Sequence, residues 1–264
     1  MKLEVLISTM HRDDHSLLSE MRIATDAIVV NQCDRNEVET IEHNDHTVKW
    51  FSLCERGVGL SRNTAMMRAT GDILLFADDD IVYHEDYERM VLGAFDKNPK
   101  ADVILFNFES LNPDRPEVIT KKTHRLHWYN CLKYGACRIA IRREAFLRKN
   151  LSFSLLFGGG ARHSAGEDNL FITNCIQAGL RVIAHTAVLG TVRQEESSWF
   201  RGYDEKYYYD RGALFAAMYG RWAFLLLFLM EVKSLGRKAK LNFAKRFLLE
   251  CRGARNFGKT CETI

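Results

Sequence analysis

The chain has 264 residues, of which 47% are hydrophobic and 27% charged, with 17 glycines and only 3 prolines. This composition is typical of a globular protein with a substantial core, and it excludes disordered, collagen-like and low-complexity chains. The seven cysteines are an odd number, with no C-x-x-C pair and no secretory leader at the N-terminus, which predicts a reducing, cytoplasmic compartment.

Charge is distributed unevenly along the chain. The formal net charge is +3, but residues 231–264 contain nine Lys or Arg against three Glu, so this tail carries +6 and the rest of the chain −3. A basic tail of this kind indicates either a nucleic-acid or anionic-lipid partner, or simply a solvated helix face.

The first hundred residues predict alternating strands and helices. Apolar runs predict strands at 3–8, 27–31, 48–53, 73–76 and 103–108, and helical periodicity predicts helices at 13–21, 60–69 and 87–95. Continuous apolar runs have no polar face, which is typical of parallel strands covered by helices on both sides. The sequence therefore predicts an α/β fold with a mostly parallel central sheet and flanking helices.

Beyond residue 116 the pattern becomes less regular and ends in helices. It predicts a mixed strand at 134–141, a glycine-rich loop at 158–160, a helix at 168–178 and helices from residue 203 onward. The apolar run 222–230 is too short to span a bilayer, so it is either an interfacial helix beside the basic tail or a helix docked on the domain. We predict an α/β domain at 1–202 and a helical, basic, membrane-associated appendage at 203–264.

Three consecutive carboxylates, Asp78, Asp79 and Asp80, follow the fourth predicted strand. Ligands of open parallel sheets collect beyond the carboxyl ends of the strands. Adjacent carboxylates repel one another unless a cation holds them, and their oxygens suit Mg²⁺ or Mn²⁺, which complete their coordination with substrate phosphates. The triplet predicts a metal site for a diphosphate ligand; the other interpretation is capping of the helix that begins near Glu85.

Residues 57–62 begin like a G-x-G-x-x-G dinucleotide motif but do not complete it. Arg62 occupies the position of the third glycine, and the segment follows the third strand and not the first, which argues against a Rossmann dehydrogenase. We expect Arg62, near the start of a helix, to approach a phosphate or to hold the acidic triplet.

A second acidic pair, Glu167 and Asp168, opens a helix after the flexible stretch 158–165, which could act as a lid. A carboxylate at a helix start is ordinarily a cap. Together with a metal and phosphate site, however, the pair suits a reaction that needs a general base as well as an electrophilic metal.

In their order and spacing, these motifs resemble the family 2 glycosyltransferases of the GT-A fold over residues 1–220. The resemblance is carried by Ser8-Thr9, Asp34, residues 56–63, Gly71-Asp72-Ile73, Asp78-Asp79-Asp80 and Glu167-Asp168. It implies transfer of a sugar from a nucleoside-diphosphate donor to an acceptor hydroxyl, with inversion at the anomeric carbon. Similar enzymes extend lipid-linked glycans for bacterial capsule or surface polysaccharide at the inner face of the plasma membrane.

The resemblance also implies roles for single residues. Asp78 and Asp80 correspond to the acids of a D-x-D motif that binds Mn²⁺ or Mg²⁺, with Asp80 as the direct ligand. Asp168 corresponds to the catalytic base, with Glu167 beside it. The residues expected to contact the donor lie at strand ends and around the metal: Ser8, Thr9, Asn31, Asp34, Arg62, Asp78 and Asp79.

Several further residues have two interpretations. His185 follows an apolar run and is either a third metal ligand or a structural histidine. Aromatic residues near the start of the appendage could stack on sugar rings or could be packing residues: Trp199, Tyr203, Tyr207, Tyr208 and Tyr209. Arg211 could reach the diphosphate.

Two other functions are open alternatives. A nucleotidylyltransferase also combines an α/β sheet with carboxylate-bound Mg²⁺, but it would normally have a glycine-rich loop after the first strand, and residues 8–12 contain no glycine. A nucleic-acid-binding protein would use the basic tail, but that reading leaves both acidic groups unexplained. We therefore expect a nucleoside-diphosphate sugar donor, a glycan or lipid-linked glycan acceptor, an anionic membrane surface and no nucleic acid.

Overall fold

The computed structural model describes residues 1–194, 202–234 and 241–261, with the side chains of the last helix described as far as residue 258. Its strands are β1 (Leu3–Met10), β2 (Asp26–Gln32), β3 (Glu37–His43), β4 (His46–Leu53), β5 (Ile73–Asp78), β6 (Ile81–Tyr83), β7 (Val103–Ser110), β8 (His124–Arg125), β9 (Ile139–Arg142) and β10 (Val182–Val192). Its α-helices are α1 (Ser16–Glu20), α2 (Val58–Arg68), α3 (Tyr87–Lys97), α4 (Arg143–Lys149), α5 (Glu167–Gln177), α6 (Glu205–Tyr219), α7 (Ala223–Lys233) and α8 (Phe243–Cys261).

The strands form one mixed sheet in the order β3-β4-β2-β1-β5-β9-β7-β10-β6, with β8 paired to β10. Strands β4, β2, β1 and β5 are parallel neighbours, as the continuous apolar runs predicted. Strand β9 runs antiparallel between β5 and β7, and β7 is parallel to β10. The α/β fold with a central sheet, flanking helices and C-terminal helices is confirmed, but the expectation of a mostly parallel sheet is wrong: strands β3, β6, β8 and β9 pair antiparallel with their neighbours.

Both faces of the sheet are buried. Along β1, Val5 and Ile7 join a core cluster that includes side chains of α1 and α3, while Leu6 joins a second cluster with side chains of α2 and α5. Because successive strand residues point to opposite faces, a strand covered on both sides is apolar at nearly every position; in β1 the buried Glu4 is the exception, and it accepts hydrogen bonds from Thr70 N and Gly71 N.

Strand β3 is absent from the predicted elements. It pairs antiparallel with β4 at the edge of the sheet, and its residues are exposed or only half-buried, so it has no apolar run. The turn between the two strands is made by Asn44 and Asp45, both with positive φ (50° and 64°), which asparagine and aspartate tolerate better than most residues.

The C-terminal helices pack against one another and against α5. By length and composition alone, the helical residues 205–233 taken together could cross a membrane, although the apolar run 222–230 is too short to do so by itself. The stretch is not one straight helix, because Gly220 (φ 53°) ends α6 and a 3₁₀ turn precedes α7. It also contains Asp210 and Glu231, which are buried and ion-paired to residues elsewhere in the fold. The domain boundary at residue 202 stays a prediction.

Candidate active site

A cleft of about 1190 Å³ opens at the carboxyl ends of β1, β2 and β5. These strand ends supply Thr9, Gln32 and Asp78 to the floor, and the opposite wall is built by residues 164–169 and by α6. Parallel neighbours end at the same edge of a sheet, which explains why residues far apart in sequence meet here. Both acidic groups expected from the sequence line this one cleft.

The acidic triplet is held by two different contacts. Thr9 Oγ1 donates a hydrogen bond of 2.6 Å to Asp79 Oδ2, and Asp78 is bound by Arg62. Burial, together with the negative charges of Asp78 and Asp79, raises the pKa of Asp80 to about 6. The repulsion within the triplet would be relieved by a bound cation.

Arg62 connects the two acidic groups. Its Nη2 donates to Asp78 Oδ1 at 2.8 Å, and its Nη1 donates to Glu167 Oε1 at 2.7 Å. The side chain is buried, with its guanidinium 5.4 Å from the centroid of the Phe153 ring. Burial disfavours the charged form, but the two carboxylates outweigh this effect and raise the pKa of Arg62 above its ordinary value.

Asp168 occupies a different environment from its neighbour Glu167. Asn169 donates to Asp168 Oδ1 from its backbone N (2.6 Å) and from Nδ2 (2.8 Å), and neither bond uses Oδ2. Burial, followed by the charge of Glu167, raises the pKa of Asp168 well above its ordinary value of 3.8. A carboxylate with a raised pKa is suited to accept a proton near neutral pH.

The glycine-rich loop lies between α2 and α6. The Gly159 carbonyl accepts a hydrogen bond from Val58 N, at the start of α2. On the other side, Asp210 of α6 binds His163 Nδ1 (2.9 Å) and Ser164 N and Oγ (3.0 Å each). Burial alone would raise the pKa of Asp210, but hydrogen bonds from His163, Lys206 and Ser164 lower it below its ordinary value. The loop is therefore fastened to the wall of the cleft.

The residues at the acidic triplet fit a hard divalent cation by their chemistry. Within the described part of the chain, no three His, Cys, Asp or Glu side chains already converge as a metal cage. Mg²⁺ and Mn²⁺ are commonly held by one or two carboxylates plus substrate oxygens, so such a cage is not required. The negative charges of Asp78 and Asp79 contribute to the raised pKa of Asp80, and a positive charge bound at the triplet would offset them.

Three of the expected site residues do not lie in the cleft. His185 is not a metal ligand there: β10 continues past it to Val192, and the side chain lines a separate shallow pocket beside α3 with Arg89 and Lys97. Asn31 is fully buried, and its amide binds the backbone of Arg12, so it supports the loop after β1 and does not reach a ligand. Asp34 is exposed outside the cleft.

The remaining candidates are near the cleft or outside the described residues. Ser8 lines the cleft and accepts a hydrogen bond from Ser61 Oγ at 2.9 Å. Tyr207 and Arg211 lie on the α6 wall. Tyr203 is exposed and packs edge-on against Tyr207, and Tyr208 is buried. Trp199 lies outside the described residues.

The sequence analysis missed several residues of the cleft. Arg12, Arg115 and Arg193 line it, and Arg12 and Arg193 both approach Glu20 (3.6 and 4.0 Å). An apolar wall is formed by Leu132, Leu214, Phe215 and Met230. Arg12 lies two residues after β1 and Arg193 directly follows β10, so both could have been sought at strand ends; the others come from loops and helices that only the tertiary structure brings here.

Comparisons with known proteins agree with this arrangement. The sequence profile of glycosyl transferase family 2 matches residues 15–149. Among solved structures, S. aureus TarS 1–349 in complex with UDP-GlcNAc is similar at 17% identity and a TM-score of 0.59, covering 97% of this chain and 71% of that one. The mannosyltransferase PcManGT from Pyrobaculum calidifontis, in complex with GDP-Man and Mn²⁺, is similar at 14% identity and a TM-score of 0.50, covering 99% of this chain and 73% of that one. At these identities the similarity shows the fold alone. No curated protein sequence matches the chain.

Proposed function

This chain belongs to glycosyl transferase family 2, and from that membership we propose that it is an inverting glycosyltransferase that uses a nucleoside-diphosphate sugar. The observation that supports the proposal most strongly is that the acidic triplet and Asp168 share one cleft, with Arg62 connecting the triplet to the neighbour of Asp168. The similar structures bind UDP-GlcNAc and GDP-Man, which is the class of donor proposed here.

The donor diphosphate would lie over the floor of the cleft. Asp78 and Asp80 would hold Mn²⁺ or Mg²⁺, which neutralises negative charge on the leaving diphosphate when it is bound. Thr9 fixes Asp79, and the arginines Arg12, Arg115 and Arg193 supply positive charge from the rim. These cationic groups favour a ligand with several negative charges.

Asp168 would act as the general base. The acceptor hydroxyl oxygen attacks the anomeric carbon while the bond from that carbon to the diphosphate oxygen breaks, and the electron pair leaves with the diphosphate. The hydroxyl proton moves to Asp168, whose Oδ2 is not used by the bonds from Asn169. Glu167 is bound to Arg62, so we assign it a positioning role beside the base.

The acceptor we propose is a glycan or a lipid-linked glycan of the kind used in surface-polysaccharide assembly. The apolar wall of Leu132, Leu214, Phe215 and Met230 would border an acceptor that carries an apolar group or presents the apolar face of a sugar ring.

The test has a binding part and a turnover part. Thermal unfolding is followed with UDP- and GDP-sugars, each with and without Mn²⁺; we expect stabilisation that requires the metal and is lost in Asp80→Ala. Asp96→Ala, an exposed aspartate on α3 outside the cleft, is the matched control and should respond like the parent protein. Stabilisation by DNA or RNA alone would contradict the proposal.

For turnover, Asp168→Asn should keep the metal-dependent thermal shift while lowering sugar transfer by about 10²-fold or more. Normal transfer by this variant would remove Asp168 from the role of base. Release of inorganic pyrophosphate from a nucleoside triphosphate, without sugar transfer, would instead indicate a nucleotidylyltransferase.

A further inference from the structure

One face of α7 is apolar and uncovered. Phe224, Leu225, Phe228, Leu229 and Val232 are all exposed, at a spacing that places them on one side of the helix. The opposite side, with Ala223, Leu227 and Glu231, is buried against the rest of the protein. We refer to the five exposed residues as the α7 face.

The apolar surface continues onto α8. The rings of Phe243 and Phe247 lie 6.2 and 5.6 Å from that of Phe228, and Leu248 of the same helix is exposed. Trp222, immediately before α7, is exposed as well. Contiguous apolar surface of this kind is uncommon on soluble monomers and usually marks an interaction site.

The charged side chains exposed around this surface are all basic within the described parts of α7 and α8. They are Lys233 on α7 and Lys245, Arg252 and Arg255 on α8; Lys245 pairs with Glu205 of α6. The acidic residues of these helices, Glu231 and Glu250, are buried and bound by arginines. The surface therefore combines exposed apolar side chains with the positive charges of Lys233, Arg252 and Arg255.

We propose that the α7 face docks on the surface of a bilayer that contains anionic lipids, as a peripheral contact. An apolar helix face flanked by Lys and Arg matches the interface between acyl chains and negative headgroups. A second copy of this chain would bring the same basic residues near their own counterparts, which disfavours self-association through this face.

Docking is peripheral because both helices are tied to the protein by buried charges. Glu231 binds Arg246 Nε at 2.7 Å and also contacts Arg211, and Arg211 Nε binds Glu250 at 2.7 Å. Moving α7 into a spanning position would separate these ion pairs and leave charges unpaired in hydrocarbon, at high cost.

The contact would have a direct consequence for the cleft. Met230 lies on α7 and also lines the apolar wall of the cleft. The helical spacing places Met230 on the side of α7 away from the α7 face, so, resting on the proposed glycosyltransferase function, docking would hold the cleft close to the lipid surface with α7 between the two.

Flotation of the full chain with vesicles tests the proposal, using phosphatidylcholine vesicles with and without phosphatidylglycerol. We expect binding that requires phosphatidylglycerol and weakens as salt is added. The double variant Leu225→Glu/Leu229→Glu (parent exposures 49% and 53%) should bind about tenfold more weakly or worse. Leu147→Glu, on α4 and also 53% exposed, is the matched control and should bind like the parent.

Replacing basic residues tests the electrostatic contribution to vesicle binding. Arg252→Gln/Arg255→Gln should lower binding to anionic vesicles by about 25-fold, at roughly fivefold for each charge. Unchanged binding by the Leu225→Glu/Leu229→Glu protein, absence of binding to anionic vesicles, or resistance of the bound protein to alkaline carbonate would each overturn the proposal. A dimer of the parent protein in sedimentation that is lost in the Leu225→Glu/Leu229→Glu protein would also overturn the proposal.

The outcome is separable from that of the proposed function. The Leu225→Glu/Leu229→Glu protein should keep the thermal shift with nucleotide sugar and Mn²⁺, because neither leucine lines the cleft. Loss of vesicle binding with an intact thermal shift supports the docking surface. Failure of the parent to respond to any nucleotide sugar would count against the glycosyltransferase assignment and not against docking.

Discussion

Arg62 joins two acidic groups that are 105 and 16 residues away from it in sequence. Its planar guanidinium has donors in a fixed fork, which allows one side chain to bind Asp78 and Glu167 at the same time. A buried arginine between two carboxylates also limits the repulsion that these groups would exert on each other and on Asp168. At the scale of single residues, the site depends on this shared positive charge.

Arg62→Lys should therefore not be conservative. The lysine keeps the charge but has no fork, so one of the two ion-paired hydrogen bonds is lost, and we expect the free energy of unfolding to fall by about 2 kcal/mol. Urea denaturation measures this change in the free energy of unfolding. The control is Arg89→Lys, where an exposed arginine binds Asp86 and the change should be below about 0.5 kcal/mol. An equal change in the free energy of unfolding for Arg62→Lys and Arg89→Lys would show that the double contact of Arg62 is unimportant for stability.

The raised pKa of Asp168 predicts the pH dependence of the reaction. The base must be deprotonated to accept a proton, so kcat/KM should rise with pH, with the acidic limb centred well above 3.8, the ordinary value for an aspartate. The measurement is the pH profile of kcat/KM for the parent protein at saturating metal. The residual activity of Asp168→Asn should lack this acidic limb. If the variant keeps the limb at the same pH, the titrating group is not Asp168.

At the scale of elements, the junction between Gly166 and α6 positions the start of α5. Gly166 has a positive φ of 106°, which favours glycine, and a Cβ added there would lie 2.4 Å from Leu214 Cδ2, so the leucine side chain would have to move. Because Glu167 and Asp168 follow directly, the close approach of α6 fixes both carboxylates.

Gly166→Ala should lower the free energy of unfolding by about 2 kcal/mol or more, from backbone strain and the clash with Leu214. It should also reduce turnover, because the strain falls next to Asp168. Gly93→Ala is the matched control: it lies inside α3, its added Cβ meets nothing within 4 Å, and helix propensity predicts a gain of roughly 0.5–1 kcal/mol. Both values come from thermal or chemical denaturation. If Gly166→Ala changed the free energy of unfolding in the same way as Gly93→Ala, the proposed fit of α6 against α5 would be wrong.

The strands and helices also differ in how well the sequence predicted them. Buried parallel strands such as β5 have continuous apolar runs, the acidic triplet lies at the end of β5, and the second acidic pair opens α5, so local patterns were sufficient for them. Strand β3 has alternating exposed residues and gave no such signal. His185 was assigned to a strand end because its apolar run stops at 184, whereas β10 continues through register shifts to Val192. On the α6 wall of the cleft, Tyr207 and Arg211 were candidates from the sequence, but Asp210, Leu214 and Phe215 were not, because their place there depends on long-range packing.

At the scale of the whole molecule, the basic tail is only partly a solvated surface. Arg246 is buried and binds Glu231 of α7, which also contacts Arg211 of α6 on the wall of the cleft. The sequence predicted the tail as a source of external positive charge, but one of its arginines joins the three C-terminal helices to one another. The other arginines described on α8, Arg252 and Arg255, are exposed to solvent.

This division of roles predicts that substitutions of two α8 arginines have very different effects on the free energy of unfolding. Arg246→Met removes a buried partner of Glu231 and should lower the free energy of unfolding by about 3 kcal/mol, because it leaves the glutamate with Arg211 alone. Arg252→Met, the same substitution at an exposed position of the same helix, should change stability by less than about 0.5 kcal/mol. Guanidinium denaturation gives both values, and hydrogen exchange should show faster exchange in α7 and α8 of Arg246→Met alone. Indistinguishable variants would mean that the C-terminal helices are not held by this ion pair, and the fixed position of α7 beside the cleft would lose its physical basis.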